Sequence, residues 1–215
     1  MEEVVNKARR NVLEMFQGLK PVLGESRIML ADFDVIIIPA GAMVENLFNI
    51  GEFLGEQAAK QIGYIYGKGT GKVFCELVAS YFKLDEPLLK GTHGPLVFIA
   101  SGMGFVDRLR VDVNIAEGRF SLLWESPNSI FARYYLEHRP AGIKPPVCEF
   151  FAGFSAGWWE AASGIELQAR ELWCAAEGKP ACRFIISTPK ELYRETINPE
   201  NLKPTEEYQV SRLRF

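Results

Sequence analysis

Three of the chain's four cysteines and one glutamate fall where their types and spacing suit metal chemistry. Cys148, Glu171, Cys174 and Cys182 form the pattern Cys-x22-Glu-x2-Cys-x7-Cys. Three thiolates and a carboxylate are four anionic ligands, a set that a tetrahedral zinc accepts without redox chemistry. Pro145 and Pro146 suit the start of a helix, so Cys148 is expected in its first turn, where the positive dipole end favours a thiolate. Glu166 to Trp173 and Arg183 to Ser187 read as two strands around the turn Glu177-Gly178-Lys179-Pro180. That hairpin puts Cys174 and Cys182 at adjacent strand ends, with Glu171 just behind on the first strand. Spacing alone leaves other outcomes open. Cys-x7-Cys is not a standard zinc knuckle, and the pair could pack as buried thiols or close a hairpin disulfide.

Two patterns imitate other chemistries. Gly67-Lys68-Gly69-Thr70-Gly71-Lys72 is one residue short of a phosphate loop, has Val73 in the place of the magnesium-binding hydroxyl, and follows no buried strand. It reads as a turn between helices. Gly153-Phe154-Ser155-Ala156-Gly157 matches a nucleophile elbow, which needs a strand before the serine and an acid and a histidine after it. Both histidines, His93 and His138, precede Ser155, and the segment reads as helix, so its glycines are assigned to close packing against a sheet. Cys75 lies on an apolar helix face beside Val73, Phe74 and Leu77 and reads as core. His93, in Gly91-Thr92-His93-Gly94-Pro95, reads as a loop residue, and His138 as the end of a helix.

The elements that must position these groups follow from periodicity. Residues 1–20 read as an amphipathic helix with Val4, Val5, Ala8, Val12, Met15 and Phe16 on one stripe, either packed on a core or serving as a dimer arm. Arg27 to Leu30 and Val35 to Ile38 are short apolar runs around Asp32-Phe33-Asp34. Residues 41–66 carry helical periodicity broken near Gly51 and Gly55, and Val73 to Phe82 is a further helix. From Pro95 to Trp124 the chain alternates as a β-meander: Leu96 to Ile99, Leu109 to Val113 and Phe120 to Trp124, with Ala116-Glu117-Gly118 as a tight turn. Ser126 and Pro127 suit the start of a helix running to His138 that contains Asn128 and Phe131. The expected fold is α+β, an antiparallel sheet flanked by helices, an architecture that can enclose a small-molecule cavity.

With 215 residues and 48% hydrophobic content, the chain can bury one sizeable core. A net charge of −3 with no basic block argues against direct nucleic-acid contact. Met1-Glu2-Glu3 begins no signal-peptide core, and the apolar stretch Val35 to Val44 is far too short for a membrane span. A soluble, cytoplasmic protein is expected, which fits reduced cysteines as metal ligands.

The zinc pattern, together with Gly153-Phe154-Ser155-Ala156-Gly157-Trp158 after its first cysteine, resembles the 4-vinyl-reductase domain. The version in bacterial phenol- and xylene-sensing transcription activators is most similar. Arg27-Ile28-Met29-Leu30 and Gly63-Tyr64-Ile65-Tyr66-Gly67 extend a looser likeness, so the resemblance runs from about residue 20 to about residue 190. It implies a structural zinc on Cys148, Glu171, Cys174 and Cys182, with no open position for catalysis. It also implies a ligand pocket. The candidate lining is aromatic: Phe98, Phe120, Trp124, Phe131, Phe150, Phe154, Trp158 and Trp159, although aromatics bury well without a ligand. In the phenol-sensing relatives a histidine and a tryptophan hold the ligand hydroxyl. Trp124 matches the tryptophan, the histidine position falls on Phe98, and a tyrosine position falls on Ala169. Losing two polar anchors implies a ligand more apolar than phenol, or shaped differently.

The resemblance divides the chain into an N-terminal helix (1–20), a sensory domain (21–190, with the zinc subdomain from about 95) and a polar, linker-like tail (191–215). It implies a homodimeric sensory module that binds a small hydrophobic or aromatic ligand and signals through a partner or downstream domain. Both a free-standing sensor and the sensory part of a longer protein stay open. The alternative is an enzyme or accessory factor of tetrapyrrole vinyl reduction, but no dinucleotide fingerprint or poised His or Lys constellation supports it. A weaker third reading is a trafficking subunit with an acyl channel.

Overall fold

The computed structural model describes residues 2–138, 147–197 and 202. Helix α1 (Glu2–Gln17) leads into a small antiparallel sheet of β1 (Lys20–Val22), β2 (Arg27–Leu30) and β3 (Phe33–Val35), in the order β1-β2-β3. Helices α2 (Ala40–Leu54), α3 (Glu56–Phe82) and α4 (Pro87–Ala100) follow. A hairpin of β4 (Asp107–Asn114) and β5 (Arg119–Ser126) then precedes α5 (Ile130–His138) and α6 (Glu149–Ser163). Strands β6 (Gln168–Trp173) and β7 (Cys182–Ser187) complete a four-stranded antiparallel sheet of order β4-β5-β7-β6, and α7 (Pro189–Ile197) follows. This is the expected α+β architecture of antiparallel sheet and flanking helices. Pro145 and Pro146 lie outside the described residues.

Helix α6 is the centre of the molecule. Phe150, Phe151, Phe154, Trp158 and Trp159 are all buried, so it is apolar around its whole circumference, as a helix enclosed between layers must be. On one side it meets the sheet; on the other it lies directly on α3. A Cβ on Gly67 would sit 2.0 Å from the Phe150 carbonyl oxygen, and one on Gly71 equally close to that of Phe154. Reciprocally, Gly153 and Gly157 would place a Cβ 2.0 and 1.9 Å from the oxygens of Tyr64 and Lys68. Glycines at four-residue spacing on both helices let the two backbones touch. Two expectations are corrected by this seam. Gly67 to Lys72 is no turn between helices but the interior of one long helix, and Gly153 and Gly157 pack against α3 rather than the sheet.

The run Leu96 to Ile99, expected as a strand, belongs to α4. A short β-branched and aromatic run is ambiguous between strand and buried helix. The helix carries Pro95 in its interior, at a cost of about 3 kcal/mol. Tertiary packing offsets that cost: Gly91 and Gly94 let the rings of Trp159 and Trp158 press onto the α4 backbone. His93 is consequently no loop residue; it is buried, at 3% exposure, within this helix. Its Nδ1 lies 2.8 Å from the Leu89 carbonyl and its Nε2 3.2 Å from Asn11 of α1. A carbonyl only accepts, so Nδ1 carries the proton and Nε2 accepts from the Asn11 amide.

Ser126 does not cap α5; it ends β5, paired with Cys182, and Pro127 and Asn128 form the turn beyond it. Ser129 takes over the capping role, accepting the Ala132 N–H. Along α1, Ala8, Val12 and Met15 are buried, and the helix packs on α4. Beyond the sheet, Leu192 of α7 and Leu202 join Leu123 and Ile185 in a second small apolar cluster. No helix among the described residues is long and apolar enough to cross a membrane.

Candidate metal centre and apolar cavity

Three elements deliver the four expected ligands to one point. Cys148 sits at the cap of α6, Glu171 and Cys174 come from β6 and its end, and Cys182 opens β7. All four are buried, and one potential ligand atom from each lies within 4.8 Å of every other. The sulfur separations are 3.8 Å for Cys148–Cys174 and 3.6 Å for Cys148–Cys182 and Cys174–Cys182. A tetrahedral zinc with Zn–S bonds of about 2.3 Å requires sulfur separations of about 3.8 Å. A disulfide requires about 2.05 Å, so the hairpin-disulfide alternative does not apply, and all three thiols are free. Glu171 accepts the Cys148 N–H at 3.1 Å through Oε2, while its buried Oε1 has no partner. An orphaned carboxylate oxygen beside three sulfurs is the donor set a divalent cation fits.

Donors surround the sulfurs. Ser129 Oγ lies 3.1 Å from Cys148 Sγ, the Ala175 N–H donates to Cys182 Sγ, and the Glu177 N–H donates to the Cys174 sulfur. Such outer contacts orient ligands and hold thiolate charge. Burial drives Cys148 and Glu171 well above their ordinary ranges, and the crowding of thiol and carboxylate charge pushes them further. Cys182, accepting hydrogen bonds from Cys148 and Cys174, is drawn down to about 5. Cys174 reaches about 11, the downward pull of the Cys148 hydrogen bond outweighed by its bond to Cys182 and by burial. A bound divalent cation reverses this pattern, because ligating thiols ionise outright.

A cavity of about 30 Å³ lies between α4, α6 and the sheet. Of the expected lining, Phe98, Trp124, Phe154, Trp158 and Trp159 are on its wall. The structure adds Gly94, Pro95, Val106, Arg108, Leu122, Ser155 and Ile186. Phe120 lies against Trp159, Phe131 and Phe150 pack on each other and on Phe151, and Ala169 donates its N–H to the Tyr64 hydroxyl; none of these four is on the cavity wall. Cys75 is core, as expected. Trp124 stacks on Phe184 at 4.2 Å between ring centroids, two residues along β7 from Cys182. Cavity and thiol cluster therefore share α6 and β7.

Arg108 was not legible as a cavity residue, because a strand bulge sets its direction. Ser129 carried no signal either, since its sulfur contact arises only in three dimensions.

No protein-family profile matches the chain, and no curated protein matches it. Among solved structures, the chain is similar to the phenol-responsive sensory domain of the transcription activator PoxR, crystallised with phenol. The identity is 21%, the TM-score 0.74, and the match covers 92% of this chain and 98% of that one. At this identity the likeness establishes a shared fold.

Proposed function

We propose that the chain is a small-molecule-sensing regulatory domain of the 4-vinyl-reductase type, in which a structural zinc on Cys148, Glu171, Cys174 and Cys182 fixes the framework of a ligand pocket. The carrying observation is the aromatic-walled cavity, which shares α6 and β7 with the thiol cluster. Four protein ligands leave zinc no open position, so its part is to hold α6 and the β6–β7 hairpin together. The PoxR domain's fold and its phenol ligand lend the sensory reading support.

The ligand is a small apolar or aromatic molecule other than phenol. Phe98 presents a hydrocarbon edge to Trp124, with ring centroids 5.6 Å apart, and offers nothing to accept a hydroxyl proton. At about 30 Å³ the cavity holds about one water, whereas a benzene-binding cavity measures about 150 Å³. Binding a ring therefore requires α4, α6 or their side chains to yield. That displacement is what a sensor transmits, since a ligand shifts an equilibrium only through different contacts in the two states. The signal passes to a partner or downstream domain from a sensing unit of residues 21–190, with residues 1–20 as a dimer arm and 191–215 as a connecting tail.

Titration of the protein with single-ring aromatics, followed by tryptophan fluorescence and melting temperature, tests the reading. One-to-one saturable binding with a raised melting temperature is expected, and phenol should bind weakly. Tight stoichiometric phenol binding overturns the ligand assignment, and failure of every small apolar probe overturns the sensor assignment.

A further inference from the structure

The turn Ser126-Pro127-Asn128-Ser129 joins β5 to α5 and supplies none of the four metal ligands, yet it buries two hydroxyls beside them. Ser129 is 2% exposed. Its Oγ accepts the Ala132 N–H at 3.3 Å and lies 3.1 Å from Cys148 Sγ. A metal-bound thiolate carries no proton and can only accept. With the ligands ionised, the Ser129 O–H is therefore the donor of this contact. The other two sulfurs are served differently. Cys182 and Cys174 receive backbone N–H groups, from Ala175 and Glu177, which the hairpin turn provides whatever its side chains. Cys148 receives a side chain, and that side chain belongs to another element.

Ser126 is fully buried, and its Oγ has no hydrogen-bond partner among the described residues. It pairs with Cys182 across β5 and β7. Directly opposed residues share a face of the sheet, with Cβ atoms about 4.5–5.5 Å apart, so this hydroxyl stands next to a ligand sulfur. An orphaned buried hydroxyl is unfavourable where alanine would pack as well, so packing does not account for the serine. The turn is also held in place from outside. Asn128 Oδ1 accepts the Phe105 N–H at 2.6 Å, and the Ile130 N–H donates to the Met103 carbonyl at 3.0 Å. Gly104 lies so close that an added Cβ would sit 2.5 Å from Ser126 Oγ. Both hydroxyls are thus fixed before any metal arrives.

We infer that this turn is an outer arm of the metal centre, in which Ser129 donates its hydroxyl proton to the Cys148 thiolate and Ser126 donates to that of Cys182. Both are positioning residues, since neither touches the metal. Charge-assisted hydrogen bonds to the sulfurs hold thiolate charge in a site that water does not reach, and they fix the direction of the ligand lone pairs. Through Ser129, which caps α5, the centre holds that helix as well as α6 and the β6–β7 hairpin. The inference rests on the reading of the thiol cluster as a zinc site.

The test uses the full chain, with zinc affinity read by competitive chelator titration and the thiolate-to-metal charge-transfer band read after loading with cobalt(II). Ser129→Gly is the informative variant, because glycine caps a helix nearly as well as serine but has no hydroxyl. Its zinc affinity should fall about 10–100-fold. Its charge-transfer band should move to lower energy, because a sulfur lone pair that loses a hydrogen bond is easier to ionise. Ser129→Thr should keep both properties near wild type. Ser126→Ala should shift the band in the same direction, and it carries the test should Ser129→Gly fail to fold. Melting curves of the loaded proteins establish folding. An unmoved band in Ser129→Gly and Ser126→Ala, whether or not affinity falls, leaves the serines a merely structural part and overturns the inference while the zinc reading stands. A wild-type chain that takes up neither zinc nor cobalt overturns the zinc reading, and the inference with it.

Discussion

The contact between α3 and α6 makes a prediction whose sign is opposite at two glycines of the same helix. Gly69 has nothing within 4 Å of an added Cβ, whereas a Cβ on Gly71 lands 2.0 Å from the Phe154 carbonyl oxygen. In an open helix interior, Gly→Ala stabilises by about 1 kcal/mol, through lower chain entropy in the unfolded state. Gly69→Ala should therefore raise the melting temperature by about 2–4 °C for a chain of this size. At Gly71 an ordinary contact needs well over 1 Å of helix separation, and the obstacle is backbone, which cannot swing aside. Overpacking of this kind costs about 1–3 kcal/mol or more. Net of the propensity gain, Gly71→Ala should lose about 2 kcal/mol, a drop of about 4–8 °C. The displacement also moves Phe154 and the helix that Cys148 caps, so ligand and metal affinity should fall with it. Urea denaturation and thermal melting of the two variants side by side provide the assay. A Gly71→Ala protein that melts above wild type, as Gly69→Ala should, would refute the tight seam and with it the account of how α6 is held.

Three further outcomes follow from other parts of the molecule. Glu171→Gln keeps the shape but removes the fourth charge, and metal affinity should fall about 10–100-fold or more while the three thiolates still bind; a competitive chelator titration reads this directly. Phe98→His places an acceptor beside Trp124, and phenol affinity should rise about 2–10-fold, the value of one net hydrogen bond; unchanged phenol affinity would show that position 98 does not face the ligand. His93 has its pKa lowered by burial first, with Lys7 adding to the effect against the Leu89 hydrogen bond. The unfolded chain then binds a proton that the folded one resists, so this contribution is present above about pH 6.5 and is lost as pH falls through the folded value. His93→Gln should melt with less acid sensitivity than wild type between about pH 7 and 5, and equal pH profiles would sink that assignment.

Parts of this structure were open to reading from residues alone because their signals are local. The β6–β7 hairpin announced itself through Glu177-Gly178-Lys179-Pro180, which brings Cys174 and Cys182 together near Glu171, while the place of Cys148 beside them was implied by the family resemblance. The β4–β5 hairpin was equally plain in Ala116-Glu117-Gly118. The failures share one cause, which is packing that overrides local preference. Leu96 to Ile99 looks like a strand, yet the rings of Trp158 and Trp159 fit a helix with glycines at 91 and 94. Gly67 to Lys72 looks like a turn, yet its glycines meet the glycines of a distant helix. Ser126 looks like a cap, yet β5 runs on to pair it with Cys182. For the cavity, the aromatic residues were recognisable by type, but their places were not. Phe98, Trp124, Phe154, Trp158 and Trp159 reach the wall, while Phe120, Phe131, Phe150 and Ala169 do not. Arg108 depends on a one-residue register shift, which no periodicity encodes.

The central claim is that a structural zinc holds α6 to the β6–β7 hairpin. Native mass spectrometry of protein purified without added metal, run beside Cys182→Ser, addresses it most directly. One zinc per wild-type chain, none in the variant, and a variant that has lost much of its stability are expected, because structural zinc sites contribute on the order of 10 kcal/mol to folding. Wild-type protein without zinc, or a zinc-free Cys182→Ser that melts with wild type, would contradict the account.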